Sequence, residues 1–510
     1  VIRGRDFANQ DDDPMDDHGH GTHVAGTIGA IINNGIGIAG VAPEANILAI
    51  KVISASGVGS MSDVARAVVA ATDVGADVIN MSLGAFVYNA VPYMEEAMQY
   101  AHERGVVIVS AAGNSNIDVK FFSPAGSPRT LAVTAVDEND ERAFFSNFGL
   151  VDVAAPGGGG RSENIPNAEH SILSLLSNTH VSDVNPLIVN EQYLRLAGTS
   201  MAAPHVAGAA ALVLSRFPNL TPEQVRQMLR LGADDFGESG FDKNFGYGRL
   251  NSLNALSREA SPLEVLITAP MRRVERNSVV DITGLVRGDN LASWRLDYRL
   301  EDSVRPGDWH LITSGVNPVN GQLANFNVPD RDPIIFRLTA IDNNGVSYED
   351  RHGIYFSPFP GQPSNLMATS GNGWVALTWE PPVHVGDGEL YSYRILNNRP
   401  DSGGWRIIGE ISPDRTSYVN SGLANDTEYI YAIQPMGQYG TGRISNQVSA
   451  TPLASGPPCP RVEVELCLVW GGTGDDAATD IVAGRGNFYV VGYLTSNNNT
   501  NAFLRKIDAS

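Results

Sequence analysis

Residues 78–111 have the sequence VINMSLGAFVYNAVPYMEEAMQYAHERGVVIVSA, in which two apolar runs flank a helical pattern. The runs Val78–Leu83 and Val106–Ala111 have the length and composition of buried strands, and Tyr93–Arg104 has the period of a helix. A strand, a helix and a second strand in this order form a unit whose two strands are parallel. This stretch therefore predicts an α/β fold built on a parallel sheet.

The same alternation extends over residues 1–260 and predicts a single α/β domain there. Further strands are expected at Ile47–Ile53, Leu131–Val136 and Val151–Ala154, and a further helix at Asp63–Val74. Right-handed crossovers would place helices on both faces of the sheet, which makes it doubly wound. Thr221-Pro222-Glu223-Gln224 is a capping box that starts one more helix to about Leu231, after which no helix is expected.

The pattern changes at Ser261 to alternating apolar residues with turn residues about every ten positions, which is typical of antiparallel β-sandwiches. Trp294, Leu296 and Tyr298 alternate in this way. Residues 261–358 are therefore expected to form one Ig-like β-sandwich.

Two further β segments follow. Residues 363–453 resemble a fibronectin type III domain, because Leu423, Thr427 and Tyr429 match its tyrosine-corner pattern and Trp379 matches its core tryptophan. Residues 460–510 resemble part of the β-propeller repeats found in bacterial surface proteins. One such repeat cannot bury its own face, so a continuation beyond residue 510 is expected.

Composition excludes several classes of protein. The chain has 510 residues, and 35 Lys and Arg against 56 Asp and Glu give a net charge of -21, so no nucleic-acid partner is expected. The longest apolar run, Val206–Leu214, is far shorter than the roughly 20 residues of a membrane span. Cys459 and Cys467 are the only cysteines, which excludes a disulfide scaffold and leaves open whether they form one bridge.

Three polar clusters in the first domain are candidates for chemistry: HGTHVAG at residues 20–26, AAGN at 111–114 and GTSMAAPHVAG at 198–208. Taken alone, the histidines could be metal ligands or core residues, Asn114 a turn former and Ser200 a helix N-cap. Together the clusters supply a base, an oxyanion donor and a hydroxyl, which are the groups that acyl transfer needs.

In these clusters residues 1–257 resemble the subtilisin-like serine proteases, or subtilases. The resemblance implies that His20 is the general base, Ser200 the nucleophile and Asn114 the side-chain donor of the oxyanion hole. It implies structural roles for His23 and His205.

The resemblance also implies that a peptide substrate binds as an added β-strand between two edge segments. Glycines there would let two backbones approach, although they could equally be turn glycines. Alignment on Pro124 puts Phe122 where many relatives carry a Gly at the base of the pocket for the P1 side chain, so small or medium P1 residues should be favoured. The expected substrate-binding residues are Gly57, Val58, Gly59, Ser82, Leu83, Gly84, Ala111, Ala112, Gly113 and Phe122.

Calcium is expected as a structural cofactor at two loops, and no catalytic cofactor is expected. The first loop has oxygen side chains at alternate positions, and its position before His20 matches a calcium loop of some thermostable subtilases. The second resembles the family's high-affinity calcium loop. The expected ligands are Asp6, Asn9, Asp11 and Asp13 in the first loop, and Asn34 with the carbonyls of Ile32, Ile36 and Ile38 in the second.

The resemblance further implies a third triad member, an Asp that ends a buried strand some thirty residues before the histidine motif. The acids before His20 all lie in a hydrophilic stretch, and none follows a predicted buried strand: Asp6, Asp11, Asp12, Asp13, Asp16 and Asp17. We therefore expect the Asp strand, a pro-segment and a signal sequence upstream of residue 1.

The sequence thus predicts a secreted or cell-surface serine endopeptidase that acts on flexible proteins or peptides through an acyl-enzyme. Its accessory β domains would act as spacers or bind a cell-surface or polysaccharide ligand. The alternative is a non-catalytic adhesion or scaffold protein with a degenerate protease domain. Intact His20, Asn114 and Ser200 favour the enzyme.

Overall fold

The computed structural model forms two compact units, Val1–Phe356 and Ser357–Ser510. No helix among the described residues is long and apolar enough to cross a membrane. The structure describes residues 1–87, 91–159, 168–178, 187–258, 261–270, 273–274, 278–301, 308–329, 333–356, 359–386, 389–398, 404–438, 440–457, 477–484, 487–496 and 499–508.

The first unit begins with alternating strands and helices, as the sequence predicts. These are β1 (Ile2–Asp6), α1 (His20–Gly29), β2 (Leu48–Lys51), α2 (Met61–Asp73), β3 (Val78–Met81), β4 (Ala85–Phe86), α3 (Pro92–Glu103), β5 (Val107–Ala111), β6 (Phe122–Ser123), β7 (Leu131–Val136), β8 (Val153–Pro156), β9 (Ile172–Leu175), β10 (Ile188–Val189), β11 (Tyr193–Leu196), α4 (Thr199–Arg216), α5 (Pro222–Gly232) and α6 (Ser252–Leu256). The capping box at Thr221 is present. The expectation that no helix follows Leu231 is wrong, because the short helix α6 lies beyond it. The N-cap of α6, Asn251, accepts a hydrogen bond from the Asn254 amide.

The central sheet is parallel, with strand order β3-β5-β7-β8. Helices α4 and α5 pack on one face, and α2 and α3 pack on the other, so the sheet is covered on both sides. This is the predicted doubly wound arrangement. It brings the carboxyl ends of β3 and β5 to one edge of the sheet, where α4 begins.

Strand β2 differs from its prediction as a buried strand at Ile47–Ile53. Each of its residues is partly exposed, and it pairs with β1 in a separate two-stranded parallel sheet. Apolar composition alone does not distinguish a half-covered strand from a fully buried one.

The remainder of the first unit is a β-sandwich, as expected. Its strands are β12 (Glu264–Ala269), β13 (Arg273–Val274), β14 (Val279–Arg287), β15 (Leu291–Leu300), β16 (His310–Gly315), β17 (Val319–Asn327), β18 (Ile334–Asp342) and β19 (Ser347–Phe356). The sheets β12-β14-β17 and β13-β19-β18-β15-β16 enclose a core that includes Leu296, Phe336 and Leu338.

Helix α5 joins the sandwich to the α/β domain through buried charges. Arg226 Nε donates to Asp152 Oδ1 over 2.9 Å, and Arg230 bridges Asp152 to Asp350 of β19. The Gln227 side chain donates to the Glu349 carbonyl over 3.1 Å. The two domains of this unit are thus connected by several directional contacts.

The second unit contains a second β-sandwich and a separate antiparallel three-stranded sheet. Its strands are β20 (Ser364–Gly371), β21 (Trp374–Glu380), β22 (Leu390–Asn398), β23 (Arg406–Ile411), β24 (Ser417–Ser421), β25 (Tyr429–Gly437), β26 (Gly440–Thr441), β27 (Val448–Ala450), β28 (Ala477–Gly484), β29 (Asn487–Ser496) and β30 (Asn499–Asp508). The Tyr429 hydroxyl accepts a hydrogen bond from the Ala424 amide, which forms the predicted tyrosine corner. Cys459 and Cys467 lie outside the described residues.

Candidate active site

His20 is the first residue of α1, and its position depends on the loop before it. Asp16 Oδ1 accepts hydrogen bonds from the amides of His18 and Gly19. Asp16 Oδ2 accepts from the amide and the hydroxyl of Thr22. The carboxylate therefore satisfies an exposed N–H group of the first helical turn and complements the helix dipole.

The charges around His20 set its protonation. Burial lowers the pKa of His20, the neighbouring His18 lowers it further, and Asp16 raises it, with a net decrease. The His18 and His20 ring centroids are 6.3 Å apart. The net decrease favours the neutral imidazole, which is the form that can accept a proton.

Ser200 is the second residue of α4, a helix whose small residues let it pack closely below the sheet. Ala202, Ala203 and Ala207 are buried against the sheet, and a side chain at Gly208 would collide with Val41. The described part of the structure gives the Ser200 amide no hydrogen-bond acceptor, as is usual in the first turn of a helix. This amide is available to a ligand.

Asn114 lies beyond the carboxyl end of β5 and is exposed to solvent. Its Oδ1 accepts hydrogen bonds from the Thr199 amide at 2.8 Å and the Thr199 hydroxyl at 2.9 Å. The same hydroxyl accepts from the Gly113 amide at 3.0 Å. With Oδ1 occupied in this way, the Asn114 NH₂ group is the end of the side chain left to donate to a ligand.

Ser82 connects the end of β3 to the start of α4. Ser82 Oγ donates to the Ser200 carbonyl over 2.7 Å, and Ser200 Oγ donates to the Ser82 carbonyl over 3.2 Å. Asn80 Nδ2 supports Ser82 Oγ with a further bond of 3.0 Å. The predicted substrate segment Ser82–Gly84 therefore adjoins Ser200.

The expected contact between base and nucleophile is not made. Helix α1 packs against α4, but within the described residues no hydrogen bond joins His20 to Ser200. The Ser200 hydroxyl would have to rotate away from the Ser82 carbonyl to reach the imidazole. Such bonds are often long or absent without a substrate.

The other two histidines of the motifs have structural partners. His23 is fully buried, and its Nε2 lies 3.0 Å from the carbonyl oxygens of both Ile172 and Leu194, so Nε2 carries the proton. Burial lowers the pKa of His23 to about 4. His205 Nδ1 lies 2.8 Å from the Met201 carbonyl. His23 therefore ties α1 to β9 and β11, whereas the His205 contact lies within α4.

The predicted substrate segment at Gly57–Gly59 is a turn rather than a strand. The Ser54 amide and hydroxyl both donate to the Val58 carbonyl, and Gly57 has a positive φ of 76°. A side chain at Gly59 would collide with the Val52 carbonyl. These glycines are required by the turn, and binding of a substrate along this segment stays a prediction.

Phe122 fills the space between two predicted substrate segments. A Cβ atom on Gly113 would lie 3.0 Å from its ring, and one on Gly84 would collide with the ring. Phe122 is also paired with Phe86 in the β4–β6 ladder. The ring thus lies between the segments that follow β3 and β5.

Asp6 is buried although the other residues of its strand, β1, are exposed or partly exposed. It ends β1, and its side chain is fully buried beside Lys51, whose Nζ lies 3.3 Å from Asp6 Oδ2 and 2.5 Å from Asp17 Oδ2. Burial would raise the pKa of Asp6, but hydrogen bonds from Asn9 and Lys51 bring it below its ordinary value. The buried end of the strand is possible because Lys51 neutralises the acid.

The expected calcium ligands are not assembled in this arrangement. In the part of the chain that the structure describes, no three acidic, His or Cys side chains are grouped to hold a metal ion. An ion at Asp6 would have to displace the Lys51 ammonium group. Asn34 Oδ1 accepts from the Ile36 amide over 3.2 Å. The acids of the first loop do not fit calcium as they stand, and calcium binding at both loops stays a prediction.

Comparison with known proteins agrees with the predicted subtilase and fibronectin type III domains. The Subtilase family model matches residues 2–248, and the Fibronectin type III domain model matches residues 361–451. A thermophilic serine proteinase of Bacillus sp. (strain AK1) is 42% identical over 258 residues, which are 50% of this chain and 57% of that protein. Thermitase of Thermoactinomyces vulgaris is 37% identical over 257 residues, which are 50% of this chain and 81% of thermitase.

A solved protease of Pseudoalteromonas arctica PAMC 21717 is 36% identical, with a TM-score of 0.41 and coverage of 47% of this chain and 70% of that chain. The 37% identity to thermitase, over 81% of the length of thermitase, establishes the family of this chain. The chain belongs to the subtilase family of serine peptidases.

Proposed function

We propose that the first domain is an active serine endopeptidase that cleaves protein substrates through an acyl-enzyme. The observation that carries the proposal is the fixed orientation of Asn114. Thr199 occupies its Oδ1, so its NH₂ group and the Ser200 amide are both available to bind an oxyanion. Two donors fixed before the reaction are what stabilises a tetrahedral intermediate.

The proposed reaction begins when Ser200 Oγ forms a bond to the carbonyl carbon of the substrate and His20 takes the hydroxyl proton. The negative charge moves to the carbonyl oxygen, where Asn114 and the Ser200 amide donate hydrogen bonds to it. Collapse breaks the C–N bond as His20 returns the proton to the leaving amine. Water then hydrolyses the acyl-enzyme, with His20 again accepting and returning a proton.

The proposed preference is for small or medium P1 side chains, because the Phe122 ring occupies the space between Gly84 and Gly113. Recognition of the remaining substrate would rest mainly on main-chain hydrogen bonds, which carry little sequence information. Flexible or unfolded proteins are therefore the proposed substrate class.

Secretion or attachment to a cell surface is part of the proposal, with the β domains as spacers or as binders of a surface or polysaccharide ligand. The fibronectin type III match at residues 361–451 supports this organisation. The competing proposal is a non-catalytic adhesion or scaffold protein.

Labelling with a serine-directed fluorophosphonate separates the two. The enzyme should hydrolyse casein and be labelled at Ser200, and Ser200→Ala should lose both properties. The matched control is Ser62→Ala on α2, which should keep both. Labelling that persists in Ser200→Ala, or a folded protein that is neither labelled nor active, would contradict the proposal.

A further inference from the structure

The β-sandwich of the first unit contacts the α/β domain at a second place besides α5. This contact is the turn Val119–Phe121, which directly precedes Phe122. Lys120 Nζ lies 4.2 Å from the centroid of the Tyr355 ring, and the Arg273 guanidinium lies 5.9 Å from that of Phe121. Both distances are within the range of cation–π attraction.

The sandwich residues at this contact belong to one small piece of sheet. Arg273 in β13 is the parallel partner of Tyr355 in β19. Arg273 also donates to the Phe356 carbonyl over 2.8 Å, and Tyr355 is 7% exposed. The surface that meets the turn is therefore well ordered by its own domain.

The Val119–Phe121 turn is also connected to the Phe122 ring. The Phe121 carbonyl accepts a hydrogen bond from the Val87 amide at 2.7 Å, and the Phe86 ring stacks on Phe121 with centroids 5.9 Å apart. Phe86 and Phe122 are paired in β4 and β6. A shift of the turn would move the strand pair that holds the Phe122 ring between Gly84 and Gly113.

Lys120 lies where the two domains meet and has a partner in each. Its ammonium group is 3.4 Å from Asp118 Oδ2, and its side chain is 19% exposed. Low exposure strengthens its attraction to both the carboxylate and the Tyr355 ring. The turn is therefore fixed from the sandwich side as well as by the α/β domain.

We propose that this sandwich helps select the substrate: Tyr355 and Arg273 hold the Lys120–Phe121 turn, and so keep the Phe122 ring in the pocket for the P1 side chain. The proposal rests on the proposed peptidase function. Tyr355 and Arg273 are positioning residues, because they act through the turn and touch no substrate. A ring supported by neighbours in this way limits the pocket more strictly than a mobile one.

The test measures kcat/KM of the full chain for two peptide substrates that differ only in Ala or Phe at P1. Tyr355→Ala and Lys120→Met should each raise the Phe-to-Ala ratio by about threefold, the size expected for loss of one cation–π contact. Tyr355→Phe keeps the ring and should keep the wild-type ratio. Trp309→Ala removes a ring that stacks on three other arginines of the sandwich, Arg299, Arg337 and Arg351, and should also keep the ratio.

Two further measurements make the result decisive. In a Phe122→Gly background, Tyr355→Ala should leave the ratio unchanged, because the ring that it positions is gone. Amide hydrogen exchange over residues 119–123 should become faster in Tyr355→Ala and not in Trp309→Ala. If kcat/KM fell equally for the two peptides in Tyr355→Ala, so that the Phe-to-Ala ratio stayed constant, the inference would be overturned. The sandwich would then be only a stabilising domain.

Failure of the proposed function has a different signature. A wild-type protein that hydrolyses neither peptide and is not labelled at Ser200 contradicts the peptidase function. Hydrogen exchange over residues 119–123 still decides the positioning role in that case, since unchanged exchange in Tyr355→Ala overturns it.

Discussion

The hydroxyl and the amide of Thr199 both donate hydrogen bonds to Oδ1 of Asn114, over 2.9 Å and 2.8 Å. The two residues are far apart in the chain and meet where β5 ends and α4 begins. Helix α4 and the Asn114 side chain are therefore fixed relative to each other by one side-chain oxygen. This arrangement aims the Asn114 NH₂ group before any substrate arrives.

Replacement of Thr199 tests this orientation. Thr199→Val keeps the size of the side chain but loses the hydroxyl, so kcat should fall about tenfold with little change in KM. Asn114→Ala should cost on the order of 100- to 1000-fold in kcat, a range that comes from a subtilisin itself. Thr199→Ser keeps the hydroxyl and should be close to wild type.

A double variant separates orientation from simple stability. If Thr199 acts through Asn114, adding Thr199→Val to Asn114→Ala should cost little more in kcat. Fully additive losses would show that Thr199 acts independently of the amide.

The pH dependence of kcat/KM should report the charges around His20. The base works only when neutral, so activity is present above the pKa of His20 and is lost as the pH falls through it. Burial and His18 lower that pKa and Asp16 raises it, with a net decrease, so the acidic limb should lie below the ordinary value of 6.5. His18→Asn removes the neighbouring ring whose interaction lowers the pKa of His20 and should move the limb to higher pH.

Asp16→Asn should move the same limb to lower pH, because it removes the acid that raises the pKa of His20. Because His18→Asn and Asp16→Asn should shift the acidic limb in opposite directions, each variant is the control for the other. Shifts in the same direction, or none, would assign the limb to another group.

The sequence predicted best those features that depend on residues close together in the chain, such as the periodicity of a helix or strand and short motifs. The βαβ pattern at residues 78–111 predicted the layers of the fold, because burial follows from spacing along one element. The motifs named His20, Asn114 and Ser200. The contacts of Thr199 with Asn114 depend on tertiary packing, so the motif contained the residue without revealing its role.

Other contacts left no signal in the sequence for the same reason. Asp6 lies in an acidic stretch of sequence, yet the structure buries it because Lys51 from β2 neutralises it. The β-sandwich contact to Lys120 joins residues whose separation leaves no periodic signal. Partners from distant segments decide such cases, and a single sequence does not reveal them.

Asp152 should be the most sensitive charged residue of the first unit. It is fully buried, and it accepts hydrogen bonds from Arg226, Arg230 and the Ala132 amide. Burial would raise the pKa of Asp152, but the two arginines and the Ala132 amide lower it, so it stays ionised. Asp152→Asn removes the carboxylate that two buried guanidinium groups share and should cost about 3–5 kcal/mol in the free energy of unfolding.

Denaturant unfolding of the full chain measures this cost. The matched control is Asp63→Asn, which removes a surface partner of Arg66 on α2 and should cost less than about 1 kcal/mol. Equal losses for the two variants would show that the buried network contributes no more than a surface ion pair.

Calcium and Lys51 should compete for Asp6. If the first loop binds calcium, excess calcium should raise the melting temperature, since a ligand at about 100 times its Kd contributes about 2.7 kcal/mol. Lys51→Met removes the ammonium group 3.3 Å from Asp6 Oδ2 and should make the stabilisation by calcium larger. Melting curves in calcium and in EDTA measure both effects. If the two curves coincide for the wild type and also for Lys51→Met, the predicted calcium sites are wrong.

Phe122 should determine how large a P1 side chain the enzyme accepts. Its ring lies against Gly84 and Gly113, in the space between the segments that follow β3 and β5. Phe122→Gly should open this space and raise kcat/KM for a P1 Phe substrate by about tenfold or more, with little change for P1 Ala. Phe144→Ala, at an exposed ring elsewhere in the domain, should leave both values unchanged. A wild-type enzyme that already prefers Phe or Tyr at P1 would show that the ring moves aside for substrate, and the small-residue preference would then be wrong.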